Sequence, residues 1–335
     1  MLFPILSIIL GFVLLIKGAD WLVSGASDLA RTIGFSDLVI GLTVVAFGTS
    51  APELIVNIVA SLRGNTDIAI GNIVGSNIAN ILLILGAVSI VSPLVVRRST
   101  VLKEIPFGLL AAILLFIMAN DSLVDGYPMS ELGRGDGFAL IAFFVIFMFY
   151  TFGLRRESRE GHSAAQRSPL AAWAVLLLGI AVLAIGGHLT VEGATGIARL
   201  LGVTEVLIGL TVVSVGTSLP ELATSLVAGV RGKADIAVGN IAGSNIFNIF
   251  WILGVSSLIK PLPFAPALNF DLLVVILATL LLFFIIHNGG VHRRLLLWWR
   301  QGGDYILRRS EGAILLLSYV AYVGYIIWRD IGGGL

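Results

Sequence analysis

The sequence predicts an all-α membrane protein with ten transmembrane helices, arranged as two inverted five-helix repeats. Of the 335 residues, 57% are hydrophobic and only 12% are charged, whereas about a quarter of the residues in a soluble protein are charged. Ten apolar stretches approach or exceed the length needed to cross a bilayer. A segment of 46 residues also occurs twice. Composition, apolar length and repetition therefore indicate the same fold class.

The individual spans follow from the apolar stretches, because a membrane-crossing helix needs about 20 mostly apolar residues. The predicted spans are residues 2–30, 38–62, 67–91, 104–119, 138–154, 169–200, 205–230, 235–259, 270–287 and 312–328. The first stretch lacks the basic start and the small-residue cleavage site of a signal peptide, so we interpret it as a retained helix. The connecting segments are too short to form a soluble domain.

The basic residues predict the orientation, because Lys and Arg favour the cytoplasmic side of short loops. When the loops are assigned alternately to the two sides, 15 basic residues fall on one side and 5 on the other. The predicted topology therefore places both termini outside the cytoplasm and the loop 155–168 inside it. The net charge of +1 gives no reason to expect nucleic-acid binding.

The internal repeat predicts inverted halves. Residues 41–86 align without gaps to residues 209–254, and 30 of the 46 positions are identical. Five predicted helices separate equivalent points, and an odd number reverses the direction in which the chain crosses the membrane. Such inverted repeats are typical of secondary transporters, which bind their substrate near the middle of the membrane. The predicted organisation is a first repeat over 1–154, the loop 155–168, and a second repeat over 169–335.

The strongest candidate site is a motif that occurs twice, as GTSAPE ending at Glu53 and as GTSLPE ending at Glu221. Pro52 and Pro220 lack an N–H, so each leaves a carbonyl of its helix without a donor, and we expect helices 2 and 7 to be broken there. Hydroxyl oxygens at the same breaks come from Thr49, Ser50, Thr217 and Ser218. An intramembrane glutamate is functional by default. A cluster of oxygens with two negative charges suits a hard cation such as Ca²⁺ or Na⁺.

A second repeated motif follows in the next helix of each half, as GNIVGSNIAN at 71–80 and GNIAGSNIFN at 239–248. Every fourth residue is polar, which places a polar stripe on one face of each helix. The stripes consist of Asn72, Ser76 and Asn80 in the first copy and Asn240, Ser244 and Asn248 in the second. We expect them to complete the cation cluster, and we expect helices 3 and 8 to be broken as well. For Asn72, Asn77, Asn240 and Asn245, a direct role and a role in joining helices both remain open.

Other polar groups are weaker candidates. Lys17 and Asp20 are spaced i, i+3 on the first helix and are predicted to pair with each other. Glu192 lies in the sixth helix, but its repeat counterpart is Ser24, so the repeat does not support a transport role. The segments GRGD and DSLVD lack the partners that an aspartyl-protease dyad or a calcium loop requires, and we interpret them as solvated turns. The absence of cysteine excludes disulfides and thiolate metal sites.

Together, the two motifs resemble the α-repeats of the cation/calcium antiporter superfamily, and especially those of prokaryotic sodium/calcium exchangers. The resemblance covers both repeats and the ten-helix layout, which is essentially the whole chain. It implies that Glu53 and Glu221 are the central carboxylates shared by the transported ions. It also implies further cation ligands, namely Thr49, Ser50, Thr217 and Ser218 through hydroxyls or carbonyls, Ser76 and Ser244 at flanking sodium sites, Ala46 and Ser214 through backbone carbonyls, and Asn80 and Asn248 beside the central site.

The resemblance implies a function as well, the exchange of external sodium for cytoplasmic calcium by alternating access, with electrogenic calcium extrusion. Some members of the family carry aspartate in place of one of the asparagines Asn80 and Asn248, and in its potassium-dependent members an aspartate there is associated with potassium. The resemblance therefore implies that the two asparagines here argue against potassium co-transport. A proton/calcium antiporter is the alternative, since protons could replace sodium on the glutamates. A cation channel is a weaker alternative, and no enzyme activity is expected. The expected partners are Na⁺, Ca²⁺ and the lipid bilayer of the cell membrane, with no cofactor and no obligate protein partner.

Overall fold

The computed structural model describes residues 2–63, 66–153, 167–202, 214–288 and 305–331. The helices that correspond to the predicted spans are α1 (Leu2–Ile33), α2a (Asp37–Thr49), α2b (Ala51–Arg63), α3 (66–91), α4 (Thr100–Met118), α5 (Arg134–Gly153), α6 (Pro169–Leu200), α7a (Ser214–Thr217), α7b (Leu219–Val230), α8 (Ala234–Ile259), α9 (Leu268–Asn288) and α10 (Arg309–Ile331). The predicted start of the seventh span and most of the loop 155–168 lie outside the described residues.

Eight of the described helices are long and apolar enough to cross a membrane, and α2a with α2b makes a ninth such span. The axes of α2a and α2b differ in direction by 47°. The helix α7b is apolar but shorter, and the residues before α7a are not among those described. The described helices therefore agree with the predicted order of spans.

The helices α3 and α8 are continuous, which differs from the expectation that they are broken. Each instead contains a π-helical segment, Ala79–Ile84 in α3 and Asn248–Leu253 in α8. Neither helix contains a proline, so no N–H is missing from its backbone hydrogen bonds. A π-helical turn inserts one extra residue while the helix continues, and such turns are frequent at functional sites.

Two short strand pairs, which no pattern in the sequence predicts, lie in the connections between helices. The strands β1 (Leu94–Val96) and β4 (Tyr305–Leu307) pair in antiparallel orientation. The strands β2 (Glu131–Leu132) and β3 (Leu262–Pro263) form a second antiparallel pair. Each pair joins connections that are far apart in the sequence. The strands are two or three residues long, which is at or below the lower limit of ordinary strand length.

The chain divides into two compact units, and unit 1 consists of Met1–Ile55 and Val145–Ser244. Its long helices α1 and α6 pack against each other in opposite directions, through glycines. A Cβ atom added at Gly18 would lie 2.7 Å from the backbone nitrogen of Leu183, and one at Gly25 would lie 2.7 Å from that of Leu176. The absence of a side chain at these glycines therefore allows the two backbones to approach closely.

Unit 2 consists of Val56–Phe144 and Asn245–Leu335. Its helices α3 and α10 also meet at glycines, since a Cβ atom at Gly312 would lie 2.7 Å from the carbonyl oxygen of Gly86. At the ends of α4 and α9, Asn120 Nδ2 donates to Asn269 Oδ1 at 2.7 Å and Asn269 Nδ2 donates back to Asn120 Oδ1 at 2.9 Å. This reciprocal pair joins the segment that follows α4 to the first turn of α9.

Candidate cation site

The two proline motifs interrupt their helices in the same way. Ser50 separates α2a from α2b with φ −84° and ψ 9°, and Ser218 separates α7a from α7b with φ −87° and ψ 5°. Both ψ angles lie well outside the α-helical range. Pro52 and Pro220 fall in the first turn of the following helix, where an N–H has no intrahelical acceptor anyway. The predicted breaks in helices 2 and 7 are therefore confirmed.

Glu53 and Glu221 lie in the first turns after these breaks, and each is only 1% exposed. Ser50 Oγ donates to Glu221 Oε1 at 2.9 Å, and Ser218 Oγ donates to Glu53 Oε1 at 3.4 Å. Each carboxylate is thus held by a serine of the other repeat. The two carboxylates are also close enough to repel each other. Buried like charges are costly, so this pair favours bound cations or protons.

Further hydroxyl groups surround the two acids. The hydroxyl of Thr217 hydrogen-bonds to Glu53, and Ser244 Oγ on α8 lies 3.0 Å from Ser50 Oγ. Glu221 Oε2 is buried and has no hydrogen-bond partner among the described residues. Unit 1 therefore brings both acids together with hydroxyls from α2, α7 and α8, and it leaves a carboxylate oxygen available for a cation.

Thr49 contacts an asparagine whose role the sequence left open. Its Oγ1 donates to Asn240 Oδ1 at 3.0 Å, while Asn240 Nδ2 donates to Ser225 Oγ at 3.0 Å. Both ends of the Asn240 amide are therefore occupied by protein groups. Ser225 was not singled out from the sequence, although it lies four residues after Glu221 and hence on the same helix face. Asn240 orients Thr49, whose hydroxyl oxygen keeps lone pairs for a cation.

Four buried asparagines on α3 and α8 form a closed set of hydrogen bonds in unit 2. We call Asn77, Asn80, Asn245 and Asn248 the asparagine ring. Asn80 Nδ2 donates to Asn245 Oδ1, and Asn248 Nδ2 donates to Asn77 Oδ1, both at 2.9 Å. Asn77 Nδ2 donates to the backbone carbonyl of Asn245 at 3.2 Å, and Asn245 Nδ2 donates to that of Asn77 at 3.4 Å. The ring brings together the predicted ligands Asn80 and Asn248, and it repeats the symmetry of the sequence.

The remaining predicted ligands are Ala46, Ser76 and Ser214. The carbonyl of Ala46 accepts from the backbone nitrogen of Ser50 at 3.0 Å, which leaves its second lone pair. Ser76 is 1% exposed on α3 in unit 2. Ser214 begins α7a, and its side chain lies outside the described residues.

The predicted pair between Lys17 and Asp20 is not the one that forms. Asp20 pairs instead with Arg231, which follows α7b. Lys233, two residues further on, pairs with Asp37 at the start of α2a at 2.8 Å. The i, i+3 spacing predicts a partner for Asp20 on its own helix. In unit 1, however, Asp20 pairs with a basic residue that follows a different helix.

Comparisons with known proteins match nearly the whole chain. The family model for the sodium/calcium exchanger protein matches residues 3–153 and 171–328. The chain is 34% identical to the sodium/calcium exchanger MaX1 of Methanosarcina acetivorans, over 95% of this chain and 97% of that protein. It is 39% identical to the inner membrane protein YrbG of Escherichia coli, over 76% of this chain and 79% of that protein.

A solved structure has the same fold. The sodium-calcium exchanger NCX_Mj, soaked with Na⁺ and no Ca²⁺, matches with a TM-score of 0.79 and 31% identity, over 96% of this chain and 98% of that one. The same exchanger soaked with Ca²⁺ or Sr²⁺ also matches. The prediction of an all-α membrane protein with ten transmembrane helices and two repeats is therefore confirmed.

Proposed function

The chain belongs to the sodium/calcium exchanger family, and from this premise we propose that it exchanges Na⁺ for Ca²⁺ across the membrane by alternating access. It is a multi-pass membrane transporter and not an enzyme. In the proposed cycle, Na⁺ enters the cell and Ca²⁺ leaves it. An exchange of three Na⁺ for one Ca²⁺ would move one net charge, which is worth about 2.3 kcal/mol per 100 mV of membrane potential.

The observation that carries the proposal is the crossed pair of hydrogen bonds at the two glutamates. Ser50 donates to Glu221 and Ser218 donates to Glu53, so both repeats contribute to one acidic cluster inside unit 1. Two carboxylates can neutralise one Ca²⁺ directly. Na⁺ on the same carboxylates excludes Ca²⁺, and this competition couples the movement of one ion to that of the other.

The proposed ligands are those that the motifs indicate. Glu53 and Glu221 provide the charge. The neutral oxygens come from Thr49, Ser50, Thr217, Ser218, Ser76, Ser244, Asn80 and Asn248, together with the backbone carbonyls of Ala46 and Ser214. Support comes from burial, since the two glutamates, Thr49, Ser76, Asn80 and Asn248 are each only 1% exposed. Buried oxygens of this kind replace the hydration shell of a hard cation.

Proton coupling is the second candidate, and the glutamate pair itself favours it. Two buried carboxylates that repel each other can be neutralised by protons as well as by Na⁺. The hydroxyl groups distinguish the candidates, because a proton needs only the carboxylate whereas Na⁺ needs several surrounding oxygens. We therefore place sodium exchange first.

Reconstitution into liposomes tests the coupling ion. We expect vesicles loaded with Na⁺ to take up Ca²⁺ when diluted into Na⁺-free medium, because the outward Na⁺ gradient drives the exchange. A pH gradient alone, or a K⁺ gradient alone, should produce no uptake above that of protein-free liposomes. Uptake that follows the pH gradient and ignores Na⁺ would instead establish the proton antiporter.

The proposed orientation, with both termini outside and the loop 155–168 in the cytoplasm, rests on the distribution of basic residues. The chain has no cysteine, so single cysteines can be introduced as labels. A membrane-impermeant maleimide should label Met129→Cys in intact spheroplasts, because Met129 is exposed in the connection before α5. Ser163→Cys should react only after the membrane is opened. Labelling in the opposite order would reverse the orientation.

A further inference from the structure

We call Asn80 and Asn248 the outer residues of the asparagine ring, and Asn77 and Asn245 its inner residues. The hydrogen bonds of the ring determine which atom of each outer amide remains available for a ligand. In Asn80 and Asn248 the amide nitrogen is used, since it donates to Asn245 Oδ1 and Asn77 Oδ1 respectively. The oxygens are in the opposite situation. Asn80 Oδ1 and Asn248 Oδ1 are both buried, and neither has a hydrogen-bond partner among the described residues. The ring therefore leaves two buried carbonyl oxygens, one from each repeat.

The orientation of these amides matters for cation binding. Asparagine has an acceptor oxygen at one end and a donor NH₂ group at the other. Only the oxygen can bind a cation, and an amide rotated by half a turn would present hydrogens to it. Asparagine at a cation site therefore needs a neighbour that holds its NH₂ group.

We propose that Asn77 and Asn245 are positioning residues that hold the amides of Asn248 and Asn80, so that both carbonyl oxygens serve the transported cation. This inference rests on the proposed function and deepens it. Asn77 and Asn245 are themselves locked, because each donates its own NH₂ group to the backbone carbonyl of the other. Neither inner amide can rotate without losing two hydrogen bonds of the ring.

The ring also explains why the motif carries asparagine at this inner position in both copies. The side chain must accept from one neighbour and donate to a backbone carbonyl at the same time, which aspartate cannot do when ionised and leucine cannot do at all. The outer residues coincide with the π-helical segments, since Asn248 begins the one in α8 and Asn80 is the second residue of the one in α3. Ring and π-helical turn together place the outer amides.

The test uses the chemical difference between asparagine and aspartate. In the Asn77→Ala variant the NH₂ group of Asn248 loses its acceptor, so we expect the half-saturating Ca²⁺ concentration to rise about tenfold, the lower end of what outer-shell partners of metal ligands contribute. The maximal rate should change less. Aspartate at position 248 has oxygen at both ends and needs no such orientation. In an Asn248→Asp background, Asn77→Ala should therefore leave half-saturation unchanged.

This comparison separates positioning from general destabilisation. If Asn77 merely joined α3 to α8, its replacement would raise half-saturation by the same factor in both backgrounds, and that result would overturn the inference. Asn120→Ala is the matched control, because it removes a partly buried reciprocal pair of amide hydrogen bonds elsewhere in unit 2 and should leave half-saturation as it is. Unchanged half-saturation in Asn77→Ala itself would also overturn the inference. Absence of sodium-dependent Ca²⁺ uptake by the unaltered protein would refute the proposed function instead.

Discussion

Replacing Glu53 or Glu221 with glutamine should abolish sodium-driven Ca²⁺ uptake while the protein remains folded. Glutamine keeps the shape and the acceptor oxygen that Ser218 or Ser50 contacts, but it removes the charge. Two unit charges about 4 Å apart interact by about 4 kcal/mol at an effective dielectric constant of 20. Losing one carboxylate should therefore weaken Ca²⁺ binding by at least about a hundredfold.

Thermal unfolding in detergent distinguishes this loss from misfolding. Ca²⁺ binds the folded protein and should raise its unfolding temperature, and this rise should disappear in both variants. Without ions, the variants should be at least as stable as the unaltered protein, because the repulsion between two buried charges has been removed. Full exchange activity in either variant would contradict the assignment of the two acids.

Glu192→Gln is the matched control. Glu192 is also a glutamate in a membrane-spanning helix, but its side chain is 55% exposed and lies 3.9 Å from His188. The repeat gives it no acidic counterpart. Its replacement should leave both the uptake of Ca²⁺ and the stabilisation by Ca²⁺ unchanged.

The sequence predicted the parts of the site that depend on local chemistry. A proline without an N–H must interrupt a helix, and the breaks at Ser50 and Ser218 follow directly from Pro52 and Pro220. The repeat then implied that the two breaks belong together. The sequence could not show that each carboxylate is held by the serine of the other repeat, because equivalent residues in two copies have equivalent sequence surroundings. Only the packing of the helices decides between the two pairings.

Other features depend on tertiary contacts from the start. The strands β1 and β4 are three residues each and lie more than 200 residues apart, so no local pattern of alternation is long enough to predict them. Asp20 has a cation three residues away on its own helix, yet it pairs with Arg231. The sequence could not decide the role of Asn77 and Asn245 for a related reason. A buried amide that joins helices and a buried amide that binds an ion have the same sequence signature.

A side chain introduced at a glycine between α1 and α6 should lower the stability of the protein. A Cβ atom at Gly186 would lie 2.7 Å from the backbone nitrogen of Leu15 and 2.8 Å from the carbonyl oxygen of Gly11. These are backbone atoms, so no rotamer change can relieve the clash, and the helices must separate. We expect Gly186→Ala to lower the free energy of unfolding by about 1–3 kcal/mol, as overpacking does elsewhere.

Transport should be affected in a characteristic way, because α1 and α6 contribute none of the proposed ligands. If alternating access requires α1 and α6 to move as a closely packed pair, Gly186→Ala should lower the maximal rate of exchange and leave half-saturation by Ca²⁺ unchanged. This pattern is the opposite of the one expected for Asn77→Ala. Gly324→Ala in α10 is the control, since a Cβ atom there has no neighbour within 4 Å among the described residues, and alanine favours a helix more than glycine does. Equal stability and equal rates in the two alanine variants would show that the close approach of α1 and α6 is not required.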